Sequence, residues 1–487
     1  MTLLPESPDM YELAASYVAG KWAGGAGAET IAVRSPATGE LLGTVGAAGP
    51  AEVDAAVAAA RAALTSSPWC DASPADRAAA LGRLADGLAA RKSVLADLTT
   101  AEIGSPRSWS TFGQVLTAVG VLRAYAAIIP DYPFESTRPS LAGGRVTVRQ
   151  VPVGVVGAII PWNTPLFIAA LKLGPALAAG CSVVLKPAPD APLSIGVLTE
   201  VIEESGLPDG VINIVNGGAA TGQALTSHPD VDKVSFTGST AVGAQIAASC
   251  GSQIRRCSTE LGGKSAAIVL PDAPLESTVS GLVGGVMGNN GQLCAALTRI
   301  LLPRSRYDEF CTALTAAVEQ LTVGDPAART TDIGPLINEA ARDRVEGFLR
   351  RAHAEGATIL TGGERPAGQG WFVRPALVAA GNDMEIAREE VFGPVAVVIA
   401  YDDSQGDSAA VNIANDSRYG LVGAVWSADD DRAAAAAAQL RAGSVAVNST
   451  AVLDFGSPFG GFKQSGIGRE GGPEGIAGFV EYQAIIR

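Results

Sequence analysis

The chain has 487 residues, of which 47% are hydrophobic and 17% are charged, so it can bury a large core and is not a disordered protein. That length predicts two or three domains. The formal net charge of -14 argues against nucleic acid and anionic membranes as partners.

The cysteine and histidine content indicates which kinds of site the chain can form. The six cysteines are scattered without a CxxC pair, and only two histidines are present. We therefore expect no metal site, structural or catalytic, and no disulfide framework. Residues 1–9 lack the basic and apolar segments of a secretory signal. The longest apolar runs, such as residues 153–160, are far shorter than the roughly 20 residues of a membrane span. These features predict a reducing, cytoplasmic setting.

The first predicted elements are short strands followed by helices. A turn at residues 35–40 joins two strands, and an alanine-rich helix follows over residues 51–65. A second helix begins after Ser73 and its leucines keep helical spacing to position 98. A third helix spans about residues 109–128. These helices are expected to cover a sheet.

Two alternating regions dominate the rest of the chain. In the first, residues 151–262, predicted strands alternate with helices. This order predicts a parallel sheet with helices on both faces, as in a Rossmann-like domain. In the second, from residue 263 onward, predicted strands at 266–269, 300–302, 395–400, 422–426 and 444–447 alternate with helices at 275–289, 307–321, 339–353 and 430–441. We therefore expect a second α/β domain, joined to the first at Gly262-Gly263, which we interpret as a hinge.

One segment combines the features of a nucleophilic site. Residues 291–296 read Gly-Gln-Leu-Cys-Ala-Ala and follow the glycine-rich segment 284–291. The small residues around Cys294 allow close approach of a carbonyl group, and amide donors nearby would hold an oxyanion. A buried, inert thiol is the alternative, because six cysteines compete for the role.

Two motifs of the first alternating region allow both a functional and a structural interpretation. Asn163 follows a buried strand, so it is either an oxyanion donor or a simple cap of the turn. Lys186 ends the next strand, where it either binds a ribose or phosphate or is a solvated surface lysine.

The same ambiguity applies to the end of this region. The turn around Gly238 and Ser239 suits a pyrophosphate, or is a capped turn without a ligand. Glu260 either activates water in a cleft or forms a weak surface pair with Lys264.

The order of the motifs along the chain favours the functional interpretation of each. They are Pro-Trp-Asn at 161–163, Lys-Pro at 186–187, Phe-Thr-Gly-Ser-Thr at 236–240, Glu-Leu-Gly-Gly-Lys at 260–264, Gly-Gln-Leu-Cys at 291–294, Glu-Glu-Val-Phe-Gly-Pro at 389–394 and Pro-Phe-Gly-Gly-Phe-Lys at 458–463. In this order they resemble the motifs of the aldehyde dehydrogenase superfamily, of the NAD(P)-dependent, hydrolytic type. The resemblance covers nearly the whole chain.

The resemblance implies a chemical role for five residues. Cys294 attacks the aldehyde to give a thiohemiacetal, and Asn163 with the Cys294 backbone amide holds the oxyanion. After hydride transfer to the nicotinamide, Glu260 activates the water that hydrolyses the thioester. Lys172 and Glu470 fall where relatives often have a proton relay.

The resemblance also implies a dinucleotide site. Its cofactor-binding positions are Ile159, Ile160, Pro161, Trp162, Asn163, Lys186, Gly218, Gly222, Phe236, Gly238, Ser239, Leu261, Glu390 and Phe392. Glu390 would hold the nicotinamide ribose and Lys186 the adenosine ribose. Relatives that prefer NAD commonly carry a glutamate where Pro189 stands here, with Asp190 next. NAD is the expected cofactor, and NADP is an alternative because proline does not repel a 2′-phosphate.

The aldehyde tunnel implied by the resemblance is apolar and mostly without bulky side chains. Its positions are Thr164, Ile168, Leu171, Leu293, Ala295, Phe455 and Phe459. No arginine is among them to hold a carboxylate, so we expect an uncharged aldehyde of moderate or large size.

The expected domain division follows the same family. Residues 1–130 and 151–262 form the dinucleotide-binding domain, 263–453 the catalytic domain, 131–150 and 473–487 the arm of a homodimer or homotetramer, and 454–472 a glycine-rich loop that returns to the cofactor domain. Two alternatives to the hydrolytic enzyme remain. One is a coenzyme A-acylating relative, which usually lacks the glutamate base, and the other is a catalytically idle dinucleotide-binding protein.

Overall fold

The computed structural model describes residues 10–24 and 29–487, and the predicted absence of a signal at residues 1–9 lies outside the described residues. The strands are β1 Tyr11–Leu13, β2 Ser16–Val18, β3 Lys21–Ala23, β4 Thr30–Arg34, β5 Leu41–Gly46, β6 Glu135–Pro139, β7 Arg145–Pro152, β8 Val155–Ile159, β9 Ser182–Lys186, β10 Ile212–Val215, β11 Lys233–Thr237, β12 Arg256–Glu260, β13 Ala266–Val269, β14 Arg299–Pro303, β15 Thr358–Thr361, β16 Ala376–Ala379, β17 Val395–Tyr401, β18 Val422–Trp426, β19 Ser444–Val447, β20 Gly466–Ile467 and β21 Val480–Ile486.

The helices lie between these strands. They are α1 Pro50–Ser66, α2 Pro74–Ala90, α3 Lys92–Ile103, α4 Arg107–Trp109, α5 Thr117–Ile128, α6 Pro165–Ala179, α7 Leu193–Glu204, α8 Ala219–Ser227, α9 Thr240–Ser252, α10 Leu275–Met287, α11 Tyr307–Glu319, α12 Glu339–Ala354, α13 Glu385–Arg388, α14 Asp407–Asn415, α15 Asp430–Ala437 and α16 Gly472–Ala477. A π-helix, Ser110–Leu116, joins α4 to α5.

Two large sheets organise the molecule. The first has the order β20-β12-β11-β8-β9-β10-β2-β3, and its strands from β12 to β10 are parallel. The second has the order β15-β16-β17-β14-β13-β18-β19 and is parallel except for β15. Helices with buried apolar faces pack on both sheets, and the predicted α/β class is therefore confirmed.

A small antiparallel sheet joins distant parts of the chain. The predicted hairpin forms β6 and β7, and the carboxyl-terminal strand β21 pairs with β7 along its length. β20, in the glycine-rich segment, pairs with β12 at the edge of the first large sheet. This pairing returns the end of the chain to the sheet that carries Glu260.

Several helix predictions were wrong in extent. The leucine-rich helix is interrupted at Arg91, whose backbone N–H donates to the carbonyls of Leu88 and Ala89, and α3 begins after it. The helix predicted over 275–289 ends at Met287, because Asn289 and Asn290 have φ angles of 51° and 60°. The helix predicted over 430–441 ends at Ala437. Elements that were not predicted from the sequence include α8, β12, β15, β16 and α14.

One helical stretch of the chain is both long and apolar. The segment Arg107–Asp131 is 25 residues long with a mean hydropathy of 1.6, enough by length and composition to cross a membrane. The expectation that apolar runs fall far short of a span was therefore wrong for this helical stretch. Core helices of globular proteins pass the same test, and Val115, Ala118, Val121, Leu122 and Tyr125 are buried in the core against α2 and α6.

Candidate active site

The loop that presents Cys294 has an unusual backbone. Asn289, Asn290 and Gly291 follow one another with positive φ angles of 51°, 60° and 71°. This left-handed run ends α10 and turns the chain sharply before the cysteine. A Cβ atom on Gly291 would overlap the carbonyl of Gly393, so only glycine fits there. The glycine-rich segment thus serves backbone geometry.

Side-chain amides hold this loop in place. Asn290 Nδ2 donates to the carbonyl oxygens of Gly104 and Pro335, both at 2.9 Å. Asn290 Oδ1 accepts from Gly334 N, and Gln292 Oε1 accepts from Ile337 N at 3.0 Å. These bonds are buried, so breaking one would leave polar groups without water. They fix the position of Cys294.

A cavity of about 280 Å³ opens beside Cys294, at the carboxyl ends of β8, β11 and β12. It brings together residues that are far apart in the sequence. Its lining consists of Pro161, Trp162, Asn163, Thr164, Ile168, Thr237, Gly238, Ser239, Glu260, Leu261, Gly262, Cys294, Ala341, Arg344, Glu390 and Phe392. Twelve of these sixteen are residues that the sequence analysis predicted for the site.

Cys294 shares the cavity with two acidic side chains, Glu260 and Glu390. Burial, reinforced by Glu390 and Glu260, raises the pKa of the Cys294 thiol to about 12. The thiol is therefore protonated at neutral pH in the absence of a cationic ligand. A nearby base must remove its proton before the sulfur can attack a carbonyl carbon.

Glu260 has the environment of a base. Its side chain is buried and makes no hydrogen bond of ordinary geometry to the described residues, although the Gly461 backbone N–H is close enough to the carboxylate to lower its pKa. Burial first, and then the charge of Glu470, raise the pKa of Glu260 well above its ordinary value. The alternative of a surface pair with Lys264 is wrong, because both side chains are buried and the Lys264 ammonium is also without a partner in the described part of the chain.

Asn163 does not cap the helix that follows it. Thr164 is the N-cap residue of α6, and no side chain bonds to the end of that helix. Instead Asn163 Nδ2 donates to the carbonyl of Gln292 at 2.8 Å, two residues before the cysteine. Gln114 and Asn289 both donate to the Asn163 carbonyl, at 2.9 and 3.0 Å. The amide is thus held at the cavity wall with its N–H toward the nucleophile loop.

Glu390 closes the opposite wall. Its carboxylate accepts from Gly263 N at 3.1 Å, and burial raises its pKa to about 7. A Cβ atom on Gly262 would overlap this carboxylate, and one on Gly263 would lie 2.6 Å from the Cys294 carbonyl oxygen. The two glycines permit this close approach. The packing is a sufficient reason for glycine at both positions, and the predicted hinge is not needed to account for them. Phe392, with a φ of 62°, meets Trp162 edge to face at 5.6 Å.

The remaining predicted cofactor positions lie around the ends of β8, β9 and β11. Ile159, Ile160 and Phe236 are buried in the core. Lys186 is also buried, so the alternative of a solvated lysine is wrong, and burial lowers its pKa to about 8. Its ammonium donates to the Pro187 carbonyl, and Gly222 lies beside its side chain.

Two helix starts offer room for phosphate groups. A Cβ atom built on Gly218, the N-cap residue of α8, would contact no other atom within 4 Å. Ser239 is the N-cap residue of α9 and accepts from Val242 N at 3.4 Å, so the capped-turn interpretation holds for its hydroxyl. Ser239 lines the cavity, so the start of α9 lies beside it, and the unpaired backbone amides of a helix start stabilise an anion. The residues present fit a dinucleotide.

The predicted relay pair is in direct contact. Lys172 Nζ and Glu470 Oε1 are 2.8 Å apart, and both side chains are fully buried. They stand on α6 and just before α16, more than 290 residues apart in the sequence. The charge of Glu470 raises the pKa of Glu260, and the charge of Lys172 lowers it.

The predicted tunnel residues are only partly brought together. Thr164 and Ile168 line the cavity. Ala295 and Phe459 pack in the core of the second sheet, and Leu171 and Phe455 in that of the first. Leu293 Cδ1 lies 3.5 Å from a Cβ built on Gly288.

Sequence reasoning missed several residues of this site. Thr237, Gly262, Ala341 and Arg344 line the cavity, and Arg344 donates to the carbonyls of Glu390 and Val391. Trp109 lies outside the cavity lining but packs near the nucleophile loop. Its ring lies over Gly113, where any Cβ atom would overlap it, and its indole nitrogen approaches Gly288 near Leu293. Only the glycine at 113 could have signalled this packing.

Comparison with known proteins identifies the chain. A sequence model of the aldehyde dehydrogenase family matches residues 22–485. The chain belongs to this family. Geranial dehydrogenase of Castellaniella defragrans is 43% identical over 470 residues, which cover 96% of this chain and 98% of that protein. The 2-hydroxymuconic semialdehyde dehydrogenase of Pseudomonas sp. strain CF600 is 37% identical, with coverages of 96% and 98%.

A solved structure agrees with the sequence relatives. The aldehyde dehydrogenase of Mycobacterium tuberculosis, crystallised with NAD+, is 44% identical and superposes with a TM-score of 0.95, covering 98% of this chain and 99% of its own. The protein is therefore an NAD(P)-dependent aldehyde dehydrogenase, an oxidoreductase that converts an aldehyde to the carboxylic acid. The predicted family, fold and reaction are confirmed.

Proposed function

We propose that this aldehyde dehydrogenase oxidises an uncharged, apolar aldehyde of moderate to large size, with Cys294 as nucleophile, Asn163 as oxyanion donor and Glu260 as base. The observation that carries these roles is the single cavity in which the three side chains meet. Burial, which raises the pKa of Glu260, suits a base that must accept a proton at neutral pH.

In this mechanism one proton moves at each stage. The Cys294 thiol loses its proton to water in the cavity, favoured by the positive charge of a bound nicotinamide, and the sulfur attacks the aldehyde carbon. Asn163 Nδ2 and the Cys294 N–H donate to the oxyanion. Bound NAD(P) supplies the acceptor for the hydride that converts the adduct to a thioester. Glu260 then takes a proton from water, which releases the acid and restores the thiolate.

The same proposal assigns the cofactor contacts. Glu390 would hold the nicotinamide ribose, Lys186 the adenosine ribose, and the amide groups at the start of α9 the pyrophosphate. Trp162, Leu261 and Phe392 supply apolar walls of the cavity. The sheet that contains β8 to β12 would form the cofactor domain and the sheet that contains β13 to β19 the catalytic domain, with the division near residue 263.

An aldehyde panel tests the substrate class. We expect kcat/KM to be highest for apolar aldehydes such as geranial and octanal, because Ile168 and the neighbouring core side chains offer no partner for a carboxylate. The name of the Pseudomonas relative points instead to a charged semialdehyde. A higher kcat/KM for a semialdehyde acid than for both apolar aldehydes would reject the proposed apolar substrate class. If the acid product still forms without coenzyme A, the hydrolytic reaction itself would stand.

The cofactor preference depends on residue 189. Pro189 and Asp190 follow β9 and are half-buried, and Asp190 Oδ1 accepts from Asn338 Nδ2 at 3.2 Å. We propose NAD as the preferred cofactor with NADP also accepted. In Pro189→Glu, a carboxylate near the 2′-phosphate should lower kcat/KM for NADP by at least about tenfold, since like charges repel. The measurement is the ratio of kcat/KM with NADP to kcat/KM with NAD. An unchanged ratio would mean that the 2′-phosphate of NADP does not bind near residue 189.

We further propose that the arm β6-β7-β21 joins copies of the chain into a dimer or tetramer. β21 is an edge strand, and its Tyr482 and Ile486 are 61% and 73% exposed. Exposed apolar side chains on an edge strand favour pairing with another chain. Sedimentation analysis of Tyr482→Ser/Ile486→Ser should show smaller particles than the unaltered protein. An unchanged distribution would exclude this arm as the contact.

A reducing, cytoplasmic setting is also proposed. All six cysteines lie in the described residues and are free thiols, three of them partly exposed and one fully so. Exposed thiols without disulfides are typical of reducing compartments.

A further inference from the structure

The carboxyl-terminal end of α9 brings two cysteines together. The buried residues of α9 are Gly243, Ile246 and Cys250, whose spacing of three and four positions places them on one helix face. Cys250 is buried in the core beneath this helix, and Cys257 of β12 packs against the same core. Both are free thiols, and Cys257 is partly exposed. Neither lines the cavity that contains Cys294.

The packing of α9 on β12 places the two thiols opposite each other. β11 and β12 are parallel, so the helix that joins them runs in the opposite direction. A Cβ atom on Gly243 would overlap the Leu261 side chain, so these two positions are in contact. Cys250 lies seven residues further along the helix, or roughly 10.5 Å. Cys257 lies four residues back along the strand, or roughly 13 Å, on the same face as Leu261 because strand side chains alternate.

The turn between helix and strand keeps this pair together. Gln253 N and Arg255 N both donate to the Cys250 carbonyl, at 3.1 and 2.9 Å, so the chain folds back tightly. A hydrogen bond joins the two thiol groups. This bond and the charge of Lys233 lower the pKa of Cys257, while the same bond and burial raise the pKa of Cys250. The more acidic thiol is therefore the one that solvent reaches, and the thiolate is the reactive form.

We propose that Cys250 and Cys257 form an oxidisable dithiol, which a peroxide converts to a reversible disulfide, and that this disulfide weakens cofactor binding at the start of α9. The second half rests on the proposed function, which places the cofactor pyrophosphate there. No motif or comparison assigns a role to either cysteine.

The oxidation balances with one peroxide. The Cys257 thiolate attacks one oxygen of hydrogen peroxide, the O–O bond breaks, and the departing hydroxide takes up the former thiol proton as water. Cys257 is then a sulfenic acid. The Cys250 sulfur attacks the Cys257 sulfur, and its thiol proton leaves with the hydroxyl as a second water. Two thiols and one peroxide thus give one disulfide and two waters, and a dithiol reductant reverses the change.

The disulfide acts on the cofactor site through α9. It holds its sulfur atoms about 2.05 Å apart, closer than two hydrogen-bonded thiols, so the end of α9 is drawn toward β12. The other end of this 13-residue helix begins after Ser239, which lines the cavity. Glu260 and Leu261, at the end of β12, line the same cavity. Because a packed helix moves as a rigid element, a shift at Cys250 displaces the amides at its start.

Substitution of each cysteine tests the dithiol. Cys257→Ser removes the attacking thiol and Cys250→Ala the resolving one. Cys311→Ala is the matched control, because Cys311 is also a half-buried thiol but lies on α11 in a different core. Each protein is treated with hydrogen peroxide, and half of the sample is then reduced with dithiothreitol. Non-reducing peptide mapping by mass spectrometry locates the disulfide. Calorimetry gives the Kd of NAD, a better readout than turnover because peroxide can also oxidise Cys294.

We expect a Cys250–Cys257 disulfide in the unaltered protein and in Cys311→Ala. In both, the Kd of NAD should rise at least about fivefold and return to its starting value with dithiothreitol. Cys257→Ser and Cys250→Ala should keep the affinity of the reduced protein. Dimedone should label Cys257 in Cys250→Ala, because the sulfenic acid there has no resolving thiol.

Two results separate the halves of the proposal. If peroxide forms no disulfide between these cysteines, the dithiol is rejected and the pyrophosphate site stands. If the disulfide forms and the Kd of NAD is unchanged, the link to the cofactor is rejected, and the pyrophosphate site at α9 loses support. An equal loss of affinity in Cys257→Ser would assign the effect to another oxidation and also overturn the link. If Cys250→Ala does not fold, Cys257→Ser decides alone.

Discussion

Replacing Cys294 by alanine is expected to lower aldehyde oxidation by more than about 10⁴-fold, because the nucleophile of a covalent mechanism has no substitute in the cavity. Reduced-cofactor absorbance across the aldehyde panel measures the loss. Stability should change little, since the loop is held by the buried hydrogen bonds of Asn290 and Gln292. Binding of NAD should persist.

Cys311→Ala is the control for this substitution. Cys311 is a half-buried thiol on α11, in the same core as Cys294 but outside the cavity. It should retain full activity. Undiminished turnover in Cys294→Ala would refute the assignment of the nucleophile and favour another thiol. If Cys294→Ala loses both activity and folding, as checked by thermal unfolding, the claim that the loop is held in place without the cysteine side chain would be refuted.

Replacing Glu260 by glutamine should produce a different failure. The thioester should still form, and its hydrolysis should slow by about 10²- to 10³-fold, within the range of a lost general base. A single rapid turnover followed by slow steady-state release of acid is the expected time course. Added coenzyme A should not restore fast turnover, because the proposal is hydrolysis and not acyl transfer. Restoration by coenzyme A would support the acylating alternative.

The pH dependence of hydrolysis provides an independent check. Glu260 must be ionised to accept a proton, and burial beside Glu470 raises its pKa. Hydrolysis in the unaltered enzyme should therefore increase with pH through a midpoint above the ordinary carboxyl range of about 4–5. This limb should vanish in Glu260→Gln. A midpoint within the ordinary range would mean that Glu260 is solvated during catalysis.

The high pKa of the Cys294 thiol links these two residues. Both acidic neighbours disfavour the thiolate, so a thiol titration of the free protein should not single out Cys294 at neutral pH. Reactivity should appear when a cationic nicotinamide is bound beside the thiol. The three residues Cys294, Glu260 and Glu390 thus form one electrostatic unit, and substituting any of them shifts the others.

The sequence by itself determined the features that are local in the chain. Alternation of short apolar strands with helices predicted the parallel sheets, because helical and strand periodicities differ. Motifs such as 260–264 and 291–294 predicted candidate catalytic residues. Twelve of the residues that line the cavity were predicted, either from such motifs or from the family resemblance. Family order added what spacing could not, namely the roles of Asn163 and Glu390.

Only the tertiary structure decided how these groups act on one another. The ends of α3 and α10 depend on backbone angles at Gly104 and Asn289, and no periodicity records them. The packing of Trp109 over Gly113 depends on a π-helix. The alignment of Ser235 with Ser258 cannot be read from the sequence, because strands β11 and β12 are separated by a helix and only their pairing register sets it. Burial and register across strands set the protonation of the site, and neither is a property of any single segment.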